Sequence, residues 1–226
     1  MYTTTSTTNH RLITLSVFGA TLIGLGGCAA LSTNKAKGGA IGGAAGAGIG
    51  AVIGNNTGST ARGAIIGAVV GGAAGVIIGH QMDQQAKELT LNIPGATVER
   101  VGEGINITFA SGLLYDTGSD VIKPGAATNL HNLAASITKW PNTELLIVGH
   151  TDAKGGTEMN QSLSQRRADA ASLFLQTQNI NGNRMRTSGR GELEPVASND
   201  SEAGRSLNRR IEIAIYANAA AAAGAR

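Results

Sequence analysis

A single cysteine in 226 residues excludes an internal disulfide and any multi-cysteine metal site. Aromatic residues are scarce, with three Phe, three Tyr and one Trp, so one large uniform core across the whole chain is excluded. The length suits one domain of ordinary size plus extra segments rather than two full domains. The formal net charge of +3 is small and scattered, which excludes a nucleic-acid footprint. Four histidines, one of them the N-terminal His10, and no His-Glu-x-x-His pattern leave a zinc hydrolase without ligands. His150, Asp152 and Glu158 lie close in sequence, but a glycosidase needs two carboxylates flanking a sugar bond with one pKa raised. No catalysis, metal or cofactor is therefore expected.

Glycine is what the chain has in excess: 33 residues, concentrated in the first two thirds. Before the glycines comes an address. His10 and Arg11 precede an apolar stretch from Leu12 to Leu25, the charged-then-apolar layout of a secretory signal. At about 14 residues it is short for a spanning helix. It ends in Leu25-Gly26-Gly27-Cys28, which resembles a bacterial lipobox. The resemblance implies a signal peptide over 1–27, cleavage before Cys28 and acylation of its thiol. A lipid-anchored linker follows over 28–37. Ala29 stands where an aspartate would resemble an inner-membrane retention signal, so the resemblance implies the outer membrane. Several acyl chains, at about 0.8 kcal/mol per buried methylene, anchor firmly.

Over 38–79 the glycines form two ladders. Gly38, Gly42, Gly46, Gly50 and Gly54 fall on every fourth residue, as do Gly63, Gly67, Gly71, Gly75 and Gly79. A polar loop, Asn55 to Arg62, separates them. On a helix, residues four apart stack on one face, leaving a groove where another backbone can approach. Glycine opposes a helix in water by up to about 1 kcal/mol per residue, and small-xxx-small packing in lipid compensates. The ladders resemble glycine-zipper segments, and a membrane-embedded helical hairpin with self-association through the ladders is expected. Each ladder gives about 25 Å of helix against about 30 Å of hydrocarbon. A flexible Gly/Ala spacer is the alternative reading. Two crossings would return the chain to the periplasm, on the side of Cys28. Residues 80–102 read as a linker with a weak helical stripe of Met82, Ala86, Leu89 and Ile93.

Beyond the ladders the periods are those of a folded domain. Ile105, Ile107 and Phe109 alternate with polar residues as in a half-buried strand. Leu113-Leu114-Tyr115 is a second short apolar run. Pro124 opens a helix along which Ala126, Leu130, Leu133, Ile137 and Trp140 recur. Leu145 to Val148 is continuously apolar, as in a central strand covered on both faces. A second helix is expected from about Glu158 to Gln178, with Leu163, Ala170 and Phe174 on its buried face. Arg184 to Ser188 forms another strand, and Ile211, Ile213 and Ile215 alternate in the last. The sum is a sheet with helices packed on it, an α+β fold of βαβαβ type, preceded by the glycine-zipper hairpin. The tail 217–226 is Ala-rich and expected to be disordered.

The most specific string begins at the end of the central strand. It comprises Gly149-His150-Thr151-Asp152-Ala153-Lys154-Gly155, then Asn160 to Ala168 with its Asn-x-x-Leu-Ser-x-x-Arg-Ala pattern, Gly189-Arg190-Gly191-Glu192, and Gly204-Arg205 through Asn208-Arg209-Arg210 to Ile213. These motifs, in this order over 103–216, resemble the OmpA-like peptidoglycan-associating domain. The resemblance implies that Asp152 and Arg167 clasp the diaminopimelate residue of the stem peptide. That residue ends in an ammonium and a carboxylate on one carbon, which a carboxylate and a guanidinium fork match. Asp116-Thr117-Gly118-Ser119 resembles the family's cleft-lining loop, with Thr117 and Gly118 touching ligand and Asp116 supporting. Asn160 is expected to order the loop or cap the helix, and Arg205 and Arg210 to be supporting. Arg166, the neighbour of Arg167, is expected to stay outside the clasp.

The reading that follows is an outer-membrane lipoprotein whose periplasmic domain tethers membrane to wall by non-covalent stem-peptide binding. Its expected partners are peptidoglycan and outer-membrane lipid. Two rivals weigh against it. A motor stator subunit shares this kind of domain but needs an ionisable residue in a membrane helix, and neither ladder carries one. An assembly or pore-forming role for the ladders, with wall binding as a tether only, is compatible with the main reading.

Overall fold

The structure is a computed structural model and describes residues 58–69 and 75–218. Cys28, the first ladder, Gly71 and the end of the tail lie outside the described residues.

Five strands form one sheet in the order β1-β2-β5-β3-β4. The strands are β1 (Ala96–Val101), β2 (Gly104–Ala110), β3 (Thr143–Gly149), β4 (Met185–Gly189) and β5 (Arg210–Ala217). The helices are α1 (Thr60–Val69), α2 (Gly75–Asn92), α3 (Ser111–Leu114), α4 (Ala127–Lys139), α5 (Thr157–Thr177) and α6 (Glu202–Asn208). Strands β3 and β4 are parallel, joined by the α5 crossover, and the other pairs are antiparallel.

The alternating isoleucines set the register. Ile105 faces Ile215 and Ile107 faces Ile213 across β2 and β5, and Leu145 and Ile147 continue those rows on β3. These side chains form the front of the sheet, packed with α2, α4 and α5 in one core. On the back, Leu146, Val148, Ala214 and Tyr216 pack against Ala61, Ala64 and Ile65 of α1. The apolar run Leu145–Val148 is thus shared between two cores, as a strand covered on both faces requires.

The helical stripe read within 80–102 is the body of α2, and the rest of that stretch is the edge strand β1 rather than a linker. Met82, Ala86, Leu89 and Ile93 are all buried in the front core, so a stripe weak in sequence is sufficient when a sheet receives it. The second ladder supplies two helices: Gly63 and Gly67 lie in α1, Gly75 and Gly79 at the start of α2. Helix α1 covers the sheet instead of lipid, with Ile65 fully buried over Gly104, where any Cβ would collide with it. Among the described residues no helix is long and apolar enough to cross a membrane.

Ala170 and Phe174 pack half-buried against the front core and Leu163 is half-buried, but none of the three lies on the most buried face of α5. Its buried residues are Asn160, Ser164, Arg167, Ala168, Ala171, Ser172 and Leu175. Small residues face inward because the helix backbone lies directly on the sheet. A Cβ on Gly149 would run into the Ser164 carbonyl, and one on Gly189 would come 2.5 Å from the Gln165 amide nitrogen. Polar side chains of α5 complete the contact. The Gly189 N–H donates to Gln165 Oε1 (2.6 Å), Gln161 Nε2 donates to the Gly189 carbonyl (2.7 Å), and the Gly191 N–H donates to Ser164 Oγ (2.8 Å).

This seating gives a direct test. Gly149→Ala is expected to cost about 1–3 kcal/mol through overpacking, read from urea denaturation of the full chain. A loss below about 0.5 kcal/mol, the range of a neutral surface change, would show that α5 is free to back away from β3.

Candidate functional site

The carboxyl ends of β3 and β4 and the amino end of β5 bring the motif residues together. Asp152 follows β3 and is 7% exposed. Its Oδ1 accepts from the Lys154 amide (3.0 Å), and its Oδ2 from Arg209 Nη1 (2.6 Å). Asn160, in the first turns of α5, donates from Nδ2 to the Asp152 carbonyl (3.2 Å) and to Glu192 Oε2 (2.6 Å). It therefore orders the Asp152 loop; the N-cap of α5 is Gly156, which makes no side-chain cap.

Arg167 projects from the sheet side of α5 and is 4% exposed. Its Nε donates to the Ser119 carbonyl (2.8 Å) and Nη2 to the Asp116 carbonyl (3.2 Å). The guanidinium carbon stands 5.2 Å from the Tyr115 ring centroid, and the Tyr115 hydroxyl donates to the Arg167 carbonyl (2.6 Å). Burial lowers the pKa of Arg167 and raises that of the Tyr115 hydroxyl. The guanidinium is fixed in direction by these partners, while Nη1 makes no hydrogen bond to the described residues. Of five guanidinium donors, those on Nη1 have no hydrogen-bond partner among the described residues.

The loop that holds Arg167 is the predicted Asp116–Ser119 segment. The Ser119 amide donates to the Asp116 carbonyl (3.1 Å), and Gly118 takes φ of +72°, a left-handed conformation that suits glycine. A bridge between Tyr115 and Ile122 closes its base. The two turn carbonyls face Arg167, while Asp116, Thr117 and Gly118 are exposed at the tip. The Asp116 carboxylate points to Lys123 (3.5 Å).

The structure keeps Asp152 and Arg167 in separate hydrogen-bonded settings, and the cation touching Asp152 is Arg209. Arg209 also pairs with Glu202 Oε1 (2.7 Å). Its pKa is raised, first by the bond to Asp152, and the bonds from Arg209 and Arg205 hold Glu202 down at about 2. Of the two arginines expected to support the cleft, Arg205 binds the 199–202 loop through the Asn199 and Asp200 carbonyls and Glu202. Arg210 is buried on the back of the sheet with Glu212 (2.7 Å). Arg166 is exposed and pairs with Asp120 and Ser162. The sequence shows Tyr115 only as part of an apolar run, and Glu192 and Arg209 only as members of the motif string, with no role of their own. Arg209 had a signal: it shares parity with Ile211, Ile213 and Ile215, which face the front core, whereas Arg210 does not.

Behind the cleft lies a second polar cluster. His150 is 0% exposed, and neither ring nitrogen has a hydrogen-bond partner. Glu194 Oε2 and Glu212 Oε1 each stand 3.9 Å from it. Burial, then Arg210 and Arg190, push its pKa well below 6.5.

Fold and cleft together define an OmpA-like α+β module. The OmpA family model matches residues 114–209, and a YMGG-like Gly-zipper model matches residues 7–83. The chain is 35% identical over 140 residues to the probable lipoprotein YiaD of Escherichia coli K12, covering 61% of this chain and 64% of that one. It is 32% identical over 129 residues to the peptidoglycan-associated lipoprotein of Agrobacterium fabrum, covering 57% of this chain and 73% of the relative. A solved structure, the cell wall anchor of the T6SS from Pseudomonas aeruginosa, superposes with a TM-score of 0.55 at 28% identity, over 59% of this chain and 97% of the anchor. The chain spans slightly less than two thirds of the length of YiaD. It belongs to the OmpA family.

The state of His150 makes stability depend on pH. The unfolded chain takes up a proton below about 6.5, which the folded chain refuses, so stability is full above that value and falls as pH drops toward the folded pKa. Between pH 7 and pH 5 the full chain is expected to lose about 1–2 kcal/mol by urea denaturation. His150→Gln should flatten that interval; an unchanged slope in the variant would place the proton uptake elsewhere.

Proposed function

We propose that this domain binds peptidoglycan without cutting it, taking the charged end of a diaminopimelate residue between Asp152 and Arg167. The observation that carries the reading is the setting of Arg167: a nearly buried guanidinium, aimed by two turn carbonyls and a tyrosine ring, with Nη1 donors left over. A fixed fork loses little side-chain entropy on meeting a carboxylate, which favours the bidentate pairing. Asp152 would receive the ligand's ammonium beside its bond to Arg209, since a carboxylate has room for about four donors. Thr117 and Gly118, exposed at the loop tip, would contribute backbone contacts. Arg209 neutralises part of the Asp152 charge, so the cleft would prefer a zwitterionic end to a simple amine.

The relatives support the same class of role, since one is named for peptidoglycan association and another is titled a cell wall anchor. With acylation at Cys28, the chain would tether the outer membrane to the wall from the periplasmic side. A second reading is favoured by the match of the YMGG-like Gly-zipper to residues 7–83: the first ladder would self-associate in or at the membrane, with the wall as mooring.

The test is co-sedimentation of the full chain in detergent with purified diaminopimelate-type sacculi. Arg167→Gln and Asp152→Asn are each expected to lower affinity tenfold to a hundredfold, the roughly 1.5–3 kcal/mol of a charged hydrogen bond. Arg166→Gln should bind like the parent. Equal binding by all three folded variants would remove the clasp, and no binding by the parent would remove wall recognition.

A further inference from the structure

The back of the sheet carries a latch that the wall-binding reading does not use. Helix α1 begins there with its N-terminal residues set against the buried carboxylate of Glu212 and the half-buried one of Glu194. Ser59 Oγ donates to Glu212 Oε2 (2.6 Å), the Thr60 amide donates to Glu194 Oε2 (3.0 Å), and the Thr60 hydroxyl donates to Glu194 Oε1. Each carboxylate also has an arginine: Arg190 on Glu194 (2.8 Å) and Arg210 on Glu212 (2.7 Å). Arg210 Nη2 reaches the Glu194 carbonyl (3.1 Å), joining the two pairs, and the ring of His150 fills the space between them. Two carboxylates and two guanidiniums balance in charge, and α1 supplies the donors that finish the set. Ala61, Ala64 and Ile65 then seal it from the side of the sheet.

The latch and the cleft are built from the same short backbone segments. After β3, His150 faces the latch and Asp152 the cleft. In the loop after β4, Glu192 holds Asn160 of the cleft while Arg190 and Glu194 belong to the latch. At the start of β5, Arg209 binds Asp152 and Arg210 binds Glu212. Backbone bonds tie the segments together: the His150 amide donates to the Arg210 carbonyl (2.9 Å), the Thr151 amide to the Gly191 carbonyl (2.8 Å), and the Arg190 amide to the Gly149 carbonyl (2.9 Å). In close-packed surroundings of this kind, a shift on one face is felt on the other.

We propose that α1 is a strap whose docking on the back of the sheet is energetically coupled to ligand binding in the front cleft, so that an occupied cleft holds the strap closed and a loosened strap weakens the cleft. The inference rests on the wall-binding reading for its ligand. The chemistry of the coupling is local. A ligand ammonium on Asp152 shares the carboxylate with Arg209, and any adjustment of Arg209 to its new neighbour is passed along one peptide bond to Arg210, the partner of Glu212. Coupling of this sort is reciprocal by linkage. Because α1 follows directly on the lipid-proximal part of the chain, the strap places the state of the cleft within reach of the glycine ladders.

The experiment uses the full chain in detergent and free meso-diaminopimelate as probe. Binding is measured by calorimetry and strap opening by amide hydrogen exchange over 60–69, with and without saturating probe. Exchange in α1 is expected to slow about fivefold or more on saturation, beyond any change in the exposed edge strand β1. The double variant Ser59→Ala/Thr60→Val removes the strap's hydroxyl donors and leaves the ion pairs in place. It should exchange faster over 60–69 in the free state and bind the probe more weakly than the parent. Probe binding with unchanged α1 exchange in the parent overturns the coupling and leaves the wall reading standing. Absence of probe binding, seen together with absence of sacculus binding, overturns both. The parent's exchange decides the matter even where the double variant fails to fold.

Discussion

The close seating of α5 on the glycines that end β3 and β4 is the constraint on which the cleft depends. With no Cβ at Gly149 or Gly189, the helix backbone descends onto the strand ends, and Ser164, Ala168 and Ala171 face inward because nothing larger fits. A helix held this low carries Arg167 to the level of the Asp116–Ser119 turn, where two carbonyls receive its guanidinium. The same approach lets Asn160 reach the Asp152 loop and Glu192 together. A residue with a side chain at either glycine would lift the helix and pull the arginine away from its carbonyls.

The energetics of the back face follow different rules from the front. The front core is apolar and tolerates approximate shapes. The back joins an apolar patch to an ionic cluster in which Arg210 and Glu212 are buried and Arg190 and Glu194 half-buried, and taking such charges out of water is costly unless their lone pairs and protons are met. Helix α1 is part of that compensation, since Ser59 and Thr60 donate to the carboxylates that Arg190 and Arg210 neutralise. A hydrophobic back face would hold a helix with less cost but would accept it in many registers. The carboxylates specify where α1 starts.

Much of the domain was legible from periodicity alone. The isoleucines of β2 and β5 and the continuous run in β3 identify both the strands and their positions, because an alternating strand and a strand buried on both faces leave different traces. The face of α5 was not legible from apolarity, since its buried side is made of Ser, Ala, Asn and Arg, and its larger apolar residues point partly outward. The stripe of Met82, Ala86, Leu89 and Ile93 was legible but weak, since one apolar residue per turn does little for an isolated helix yet is enough against a sheet; the edge strand β1 after it was not legible. Asp152, Arg167 and the Asp116–Ser119 loop came from motif resemblance, which carries positions but not partners. The partner of Asp152 needed the parity of β5, which separates Arg209 from Arg210.

That parity has a wider consequence. A strand turns successive side chains to opposite faces, so two neighbouring residues at a strand end can serve two sites with one backbone between them. Arg209 and Arg210 do this at the start of β5, while beyond the end of β3 it is the turn of the chain that sends His150 to the back and Asp152 toward Arg209. Placing a ligand cleft and a helix latch on opposite faces of the same strand ends costs no extra residues, but it forbids the two from being independent. Under the proposed wall binding and Cys28 acylation the dependence would have a use, since α1, on the Cys28 side of the domain in sequence, is held by residues that border the proposed cleft. Force applied between the moorings would then run through α1 and its two carboxylates before it reached Asp152, and the latch would be the element whose strength sets how the tether yields.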